Sequence, residues 1–207
     1  MADEDVLRCL LIRHGHTESN GTGSYVGVDD PLSELGREQA RLLGAALNRS
    51  CLDTIVHSPC LRAIETMMPI LDGVSVQHVL AEARLREGDV GEWTGQPMGL
   101  RAKMVNATTP LWAVRPPGGE SYLDIDARLE PVVRAIREGD YGSSVALVAH
   151  GRVNSLILRR MQDVPWEDYV GKQMRHASVT EFLFGPDGYR LVRLEDVAHL
   201  EPSMVTV

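Results

Sequence analysis

The sequence predicts an α/β protein, a three-layer α/β/α sandwich on a mainly parallel sheet. Three observations predict it. Short apolar runs that suit buried strands alternate with segments of helical period, which is the order of an α/β sandwich. Two of those runs, residues 6–12 and 144–149, are apolar almost throughout, as strands covered on both faces are. Each leads into a histidine followed by glycine, His14-Gly15 and His150-Gly151.

Each element can be justified in turn. Residues 6–12 are broken only by Arg8 and end in Arg13-His14-Gly15, a strand that delivers polar side chains at its carboxyl end. Residues 21–30 form a loop rich in Gly and Asp. Pro31-Leu32-Ser33 opens a helix with Ser33 as N-cap. Leu35, Leu42, Leu43, Ala46 and Leu47 keep helical spacing, so it runs to about Asn48. Residues 54–57 read as a second strand, and Ser58-Pro59 starts another helix. Arg62, Glu65 and Thr66 fall on or near one face of it. Residues 74–79 are a third strand. From Glu87 to Gly119 the chain is rich in Gly and Pro, with one short helix at most. A second long helix fits residues 121–138, residues 144–149 are the clearest buried strand, and a helix over about 153–160 follows. Residues 179–184 and 189–194 form a closing hairpin around Gly185-Pro186-Asp187-Gly188. No repeat, low-complexity tract or linker interrupts this order, so residues 1–207 read as one domain.

Bulk properties narrow the functions. The 207 residues are 43% hydrophobic and 24% charged, ordinary globular proportions that favour neither disorder nor a coiled coil. The net charge of -8 argues against nucleic acid as a partner, yet a small basic pocket for phosphate survives it, because local charges dominate at contact distance. Cys9, Cys51 and Cys60 lack C-x-x-C spacing and suggest a reducing compartment. The acidic start, Met1-Ala2-Asp3-Glu4-Asp5, is not that of a signal peptide. No apolar run is long enough to span a bilayer. The expected location is the cytoplasm, away from membranes.

Phosphate-ester cleavage needs fixed positive charge on the phosphoryl oxygens, a nucleophile, and an acid for the leaving group. Arg13 beside His14 supplies a charge and an imidazole able to carry a phosphoryl group. Arg62 offers a planar fork that suits phosphate oxygens. His150 ends a second strand and offers another hydrogen bond. Glu87, in Leu85-Arg86-Glu87-Gly88, is the candidate acid. Each feature alone reads as an ordinary structural one: a strand-end histidine donor, a helix start, an exposed loop glutamate. Their joint occurrence at strand and helix ends points to a site.

The combination of Leu11-Ile12-Arg13-His14-Gly15, Pro31-Leu32-Ser33-Glu34-Leu35-Gly36, Ser58-Pro59-Cys60-Leu61-Arg62-Ala63-Ile64-Glu65-Thr66, Leu85-Arg86-Glu87 with Gly91-Glu92-Trp93-Thr94-Gly95, Pro117-Gly118-Gly119-Glu120-Ser121 and Val148-Ala149-His150-Gly151 resembles the histidine phosphatase superfamily. That group includes cofactor-dependent phosphoglycerate mutases and many small phosphatases. The resemblance runs from Leu10 to Thr180. It implies a phosphoglycerate mutase-like fold, with a small cap at about 88–120. It also implies a phosphorylated nucleophile at His14, a phosphate clamp of Arg13, Arg62 and His150 with Gly151 and Asn20 beside it, and a proton donor at Glu87. No metal or cofactor is implied.

The chain departs from the family pattern at two points. His16 stands where the family commonly has Glu, and is a candidate contact to phosphate or a residue facing solvent. Val26 stands where the mutase branch has a substrate-binding Thr. The stretch from Glu87 to His150 is compact, whereas mutases carry a longer insertion. A small cap leaves phosphohistidine open to water, which favours hydrolysis over transfer. The expected function is therefore a metal-independent phosphatase for a small phosphorylated metabolite, such as a sugar phosphate or a phosphoglycerate-like compound. A mutase-type phosphotransferase and a non-catalytic phosphate-binding module are the alternatives. Arg101, Lys103 and Arg115, with Trp112, lie in or near the cap, either to meet a second anionic group or as a solvated loop. His14-Gly15-His16 also admits a metallohydrolase, but the common H-x-H-x-D-H run is absent. Gly21-Thr22-Gly23 has neither the spacing nor the lysine of a nucleotide loop. A homodimer is left open; no segment argues for it strongly.

Overall fold

A computed structural model describes residues 6–25, 30–169, 174–186 and 188–207. The acidic start, Val26 and Gly27, and the turn residue Asp187 lie outside the described residues. Six strands form one sheet: β1 (Leu7–Arg13), β2 (Cys51–His57), β3 (Ser75–Ala81), β4 (Ser144–Ala149), β5 (Val179–Gly185) and β6 (Gly188–Asp196). Their spatial order is β3-β2-β4-β1-β5-β6. The first four run parallel; β5 is antiparallel to β1, and β6 to β5. The α-helices are α1 (Glu18–Gly21), α2 (Glu34–Leu47), α3 (Leu61–Leu71), α4 (Leu100–Lys103), α5 (Tyr122–Glu138) and α6 (Gly151–Met161).

The alternation of side chains along a strand divides the apolar runs between two cores. Leu10 and Ile12 of β1, with Ala146 and Val148 of β4, pack under α2 and α3 against Leu43, Met67 and Ile70. Cys9 and Leu11, with Val145 and Leu147, pack under α5 and α6 against Leu129, Val132 and Leu156. Fully burying one such side chain is worth about 1.5–3 kcal/mol. The middle of the sheet is therefore its most strongly held part, and it carries the histidines. The outer strand β3 is largely exposed, Val79 and Leu80 included.

Local chemistry sets the helix ends. Ser33 Oγ accepts from Gly36 N at 3.1 Å and caps α2. A Cβ on Gly36 would lie 2.0 Å from His16 O, so only glycine lets the start of α2 press on the chain just past β1. Ser121 and Asp124 form a reciprocal capping box on α5. α2 and α3 touch backbone to backbone: a Cβ on Gly44 would meet Pro69 O at 2.4 Å. α6 starts at Gly151 rather than near 153, because His150 is its N-cap and the first turn carries no apolar signal. The Gly- and Pro-rich stretch holds α4 and two 3-10 turns, Gly91–Trp93 and Leu111–Ala113. The turn α1, capped by Thr17, was not expected. Among the described residues no helix is long and apolar enough to cross a membrane.

Candidate active site

β1 and β4 are neighbours at the centre of the sheet, with Arg13 in register with Ala149. Their carboxyl ends therefore bring Arg13, His14 and His150 together. His14 N donates to Ala149 O at 3.0 Å, and Ala177 N donates to His14 O at 3.2 Å. The backbone of His14 is thus held from both sides. The His14 ring centroid lies 5.1 Å from that of His150 and 5.6 Å from that of His176.

The tautomer of His14 follows from its partners. Nδ1 lies 2.7 Å from Gly15 O, a carbonyl that can only accept, so Nδ1 carries the proton. Arg62 Nε donates to His14 Nε2 at 3.3 Å, so Nε2 presents its lone pair. Burial, then Arg62, His150, Arg13 and His176, hold the His14 pKa well below the usual histidine range. The ring is neutral near pH 7. Arg62 is aimed from the first turn of α3, and Thr66 one turn later ties that helix to the loop. Thr66 Oγ1 donates to Arg62 O at 2.7 Å and accepts from Gly15 N at 3.0 Å. Glu65 Oε2 accepts from Leu32 N at 2.6 Å. Thus Arg62, Glu65 and Thr66 all serve the site side of α3.

Arg13 is almost completely buried, donating to Met174 O and, at 2.7 Å, to His176 Nε2. Burial lowers its pKa to about 10, still charged at neutral pH. Arg13 has only donors, so His176 Nε2 accepts and Nδ1 donates to Thr206 Oγ1 at 2.9 Å. Burial and the charge of Arg13 pull His176 down to about 2. Asn20 Oδ1 lies 3.1 Å from the same Nε2 and 2.9 Å from Thr17 Oγ1. His150 is wholly buried; its Nε2 meets Ser58 Oγ at 2.8 Å, and its Nδ1 has no partner among the described residues. Burial, then Arg62 and Arg13, lower its pKa well below the usual range too.

Glu87 sits in a loop that α5 holds in place. Arg128 donates to Arg84 O, to Arg86 O at 2.8 Å and to Glu87 O at 3.3 Å. Its Nε meets Glu120 Oε1 at 2.9 Å, and Glu120 Oε2 accepts from Asp89 N at 2.9 Å. The glutamate of the Pro117–Ser121 motif is therefore a brace for the Glu87 loop.

These elements enclose a cavity of about 330 Å³. Arg13, His14, Asn20, Arg62 and Glu87 line it, as the sequence suggests. His150 and Gly151 stand behind His14 at the start of α6. His16 is not on the wall: its Nδ1 meets Ser33 Oγ at 2.8 Å. The physical reason is that Gln39 Oε1 accepts from His16 N at 2.8 Å and Ser33 N donates to His16 O at 2.9 Å, which turns the side chain toward α2. Of the basic residues near the cap, Arg101 reaches the cavity. Lys103 is exposed, and Arg115 pairs with Asp124 at 2.5 Å. Sequence reasoning missed Tyr25, Tyr122 and Arg152 on the wall, and His176 beside it. Among the described residues no three His, Cys, Asp or Glu side chains gather as a metal site.

A sequence model of the histidine phosphatase superfamily (branch 1) matches residues 9–197. Phosphoserine phosphatase 1 of Hydrogenobacter thermophilus is 31% identical over 151 residues, covering 70% of this chain and 71% of that protein. Glucosyl-3-phosphoglycerate phosphatase of Mycolicibacterium vanbaalenii is 32% identical over 182 residues, covering 79% and 78%. The solved structure of phosphoglycerate mutase from Bacillus anthracis superposes with a TM-score of 0.76 at 22% identity, over 95% of this chain and 96% of that one, a likeness of fold.

Proposed function

The chain belongs to the histidine phosphatase superfamily, and on that premise we propose that it hydrolyses a phosphomonoester of a small metabolite through a phosphohistidine at His14. The observation that carries this reading is the neutral tautomer of His14, with its Nε2 lone pair turned to the arginine-lined cavity. In the first step Nε2 bonds to phosphorus while the ester P–O bond breaks, and Glu87 gives a proton to the departing oxygen. In the second, water attacks phosphorus, Glu87 takes a proton from it, and the P–N bond returns its electron pair to Nε2. Arg13 and Arg62 spread the phosphoryl charge. His150 Nδ1, without a partner among the described residues, and the amide end of α6 at Gly151 add donors behind it. Asn20 completes the rim.

The relatives named for phosphoserine and glucosyl-3-phosphoglycerate support a small, polar phosphomonoester as substrate, and the cavity of about 330 Å³ suits one. We read residues 1–207 as one domain whose segment 88–120 caps the cavity. The three unpaired thiols favour the cytoplasm. The test is phosphate release from p-nitrophenyl phosphate and a panel of phosphorylated metabolites in EDTA, beside His14→Ala. Turnover in EDTA that falls at least about 1000-fold in the variant is expected, the loss typical of a missing nucleophile. Wild-type rates in the variant, or turnover only after metal is added, would sink the mechanism.

A further inference from the structure

We infer, resting on the phosphatase reading above, that Arg152 forms a second anion subsite in the same cavity and selects phosphomonoesters that also carry a carboxylate. Arg152 is the second residue of α6, directly after His150 and Gly151. Its backbone belongs to the phosphate end of the cavity, while its side chain lines the wall beside Tyr122. The guanidinium carbon lies 4.2 Å from the Tyr122 ring centroid, and the side chain hydrogen-bonds to Tyr169. Tyr169 is itself held, its hydroxyl 3.1 Å from Ser155 Oγ. Arg152 is therefore fixed on an aromatic platform. A guanidinium resting on a ring directs its N–H groups edgewise, the geometry that meets a planar carboxylate.

Charge gives the second reason. Among the described residues, four arginines, Arg13, Arg62, Arg101 and Arg152, line the cavity with one carboxylate, Glu87, whose charge also acts on Arg152. The two histidines at its phosphate end, His14 and His150, are held neutral. A phosphomonoester dianion together with Glu87 leaves positive charge over. Arg101 donates to Val114 O and to Glu120 O, so it holds the cap and adds mainly field. Arg152, held on the cavity wall by Tyr122 and Tyr169, is placed to share its charge with a further acidic group. A cavity of about 330 Å³ leaves that group on the same short carbon skeleton as the phosphate. A carboxylate suits the planar fork in so small a space better than a second tetrahedral phosphate.

The experiment compares kcat/KM for O-phosphoserine and O-phosphoethanolamine, which differ only in the carboxylate, in wild type, Arg152→Met and Arg152→Lys. A parallel pair, propanediol bisphosphate and propyl phosphate, asks the same of a second phosphate. Wild type is expected to favour phosphoserine by about tenfold or more, the size of one hydrogen bond to a charged group. That ratio collapses toward one in Arg152→Met, through KM, and Arg152→Lys restores part of it. An equal ratio in wild type and Arg152→Met overturns the subsite, as does no wild-type preference. A larger Arg152-dependent preference for the bisphosphate overturns the carboxylate. If wild type hydrolyses p-nitrophenyl phosphate without preference within the pairs, the subsite alone fails. If it hydrolyses no phosphomonoester, the phosphatase reading fails with it.

Discussion

At the scale of single residues, the site combines side chains with short local signatures and side chains with none. Arg13, His14, Arg62 and His150 were legible because each ends a strand or opens a helix. His176 was not, in Arg175-His176-Ala177-Ser178. It reaches His14 because β5 runs antiparallel beside β1, so residues entering β5 lie next to those leaving β1. Reading it needed the strand pairing, which no local pattern encodes. Arg128 and Glu120 were likewise invisible as braces, since their work is done on backbone carbonyls and amides far along the chain. His16 drew notice because it stands two residues from His14, whereas Gln39 and Ser33 decide where it points. The proposed role of Glu87 is testable at this scale. Glu87→Gln is expected to slow alkyl phosphates by about 100- to 1000-fold and p-nitrophenyl phosphate much less, because an acid matters most for a basic leaving oxygen. Steady-state rates on the two classes decide it, and equal losses would remove Glu87 from that role.

At the scale of elements, the starts of α2 and α5 were read well, those of α1 and α6 were not, and contacts between elements were not. Ser33 and Ser121 announce their helices by cap chemistry, which is local. The strand order, with β4 inserted between β1 and β2, places the two most apolar runs side by side at the centre of the sheet. The 74–79 run proved to be an exposed outer strand, shifted to Ser75–Ala81. Apolar content alone does not separate edge from centre. The α2–α3 contact depends on Gly44, whose Cβ would meet a backbone oxygen of α3 rather than a movable side chain. Gly44→Ala is therefore expected to lower stability by about 1–3 kcal/mol, the usual cost of overpacking, despite the better helix propensity of alanine. Urea unfolding checks this, and unchanged or raised stability would show that the helices can separate freely.

At the scale of the whole molecule, three buried neutral imidazoles link stability to pH. His14, His150 and His176 all have pKa values lowered in the fold, first by burial. The unfolded chain protonates them below about pH 6.5, while the fold keeps them neutral to lower pH. The unfolded state then binds more protons, so stability falls as pH falls through and below 6.5. Each fully shifted histidine contributes about 1.4 kcal/mol per pH unit there. From pH 7.5 to 5.5 the three together are expected to cost about 4 kcal/mol, measured by urea unfolding at each pH. A flat profile across that interval would mean that the rings take up protons in the folded state.

The centre of the sheet also sets a schedule. β1 lies between β4 and β5, with Leu10 beside Ala146 on one side and Glu181 on the other. In synthesis β1 therefore emerges well before either of its sheet neighbours, β4 and β5. β2 and β3 can pair early, while β1 waits for more than half the chain. Non-local pairing of this kind slows folding and prolongs exposure of a sticky segment. The arrangement that brings His14 and His150 together thus leaves β1 without its sheet neighbours until β4 and β5 emerge, and a chain truncated before β4 would carry His14 on a strand with neither partner.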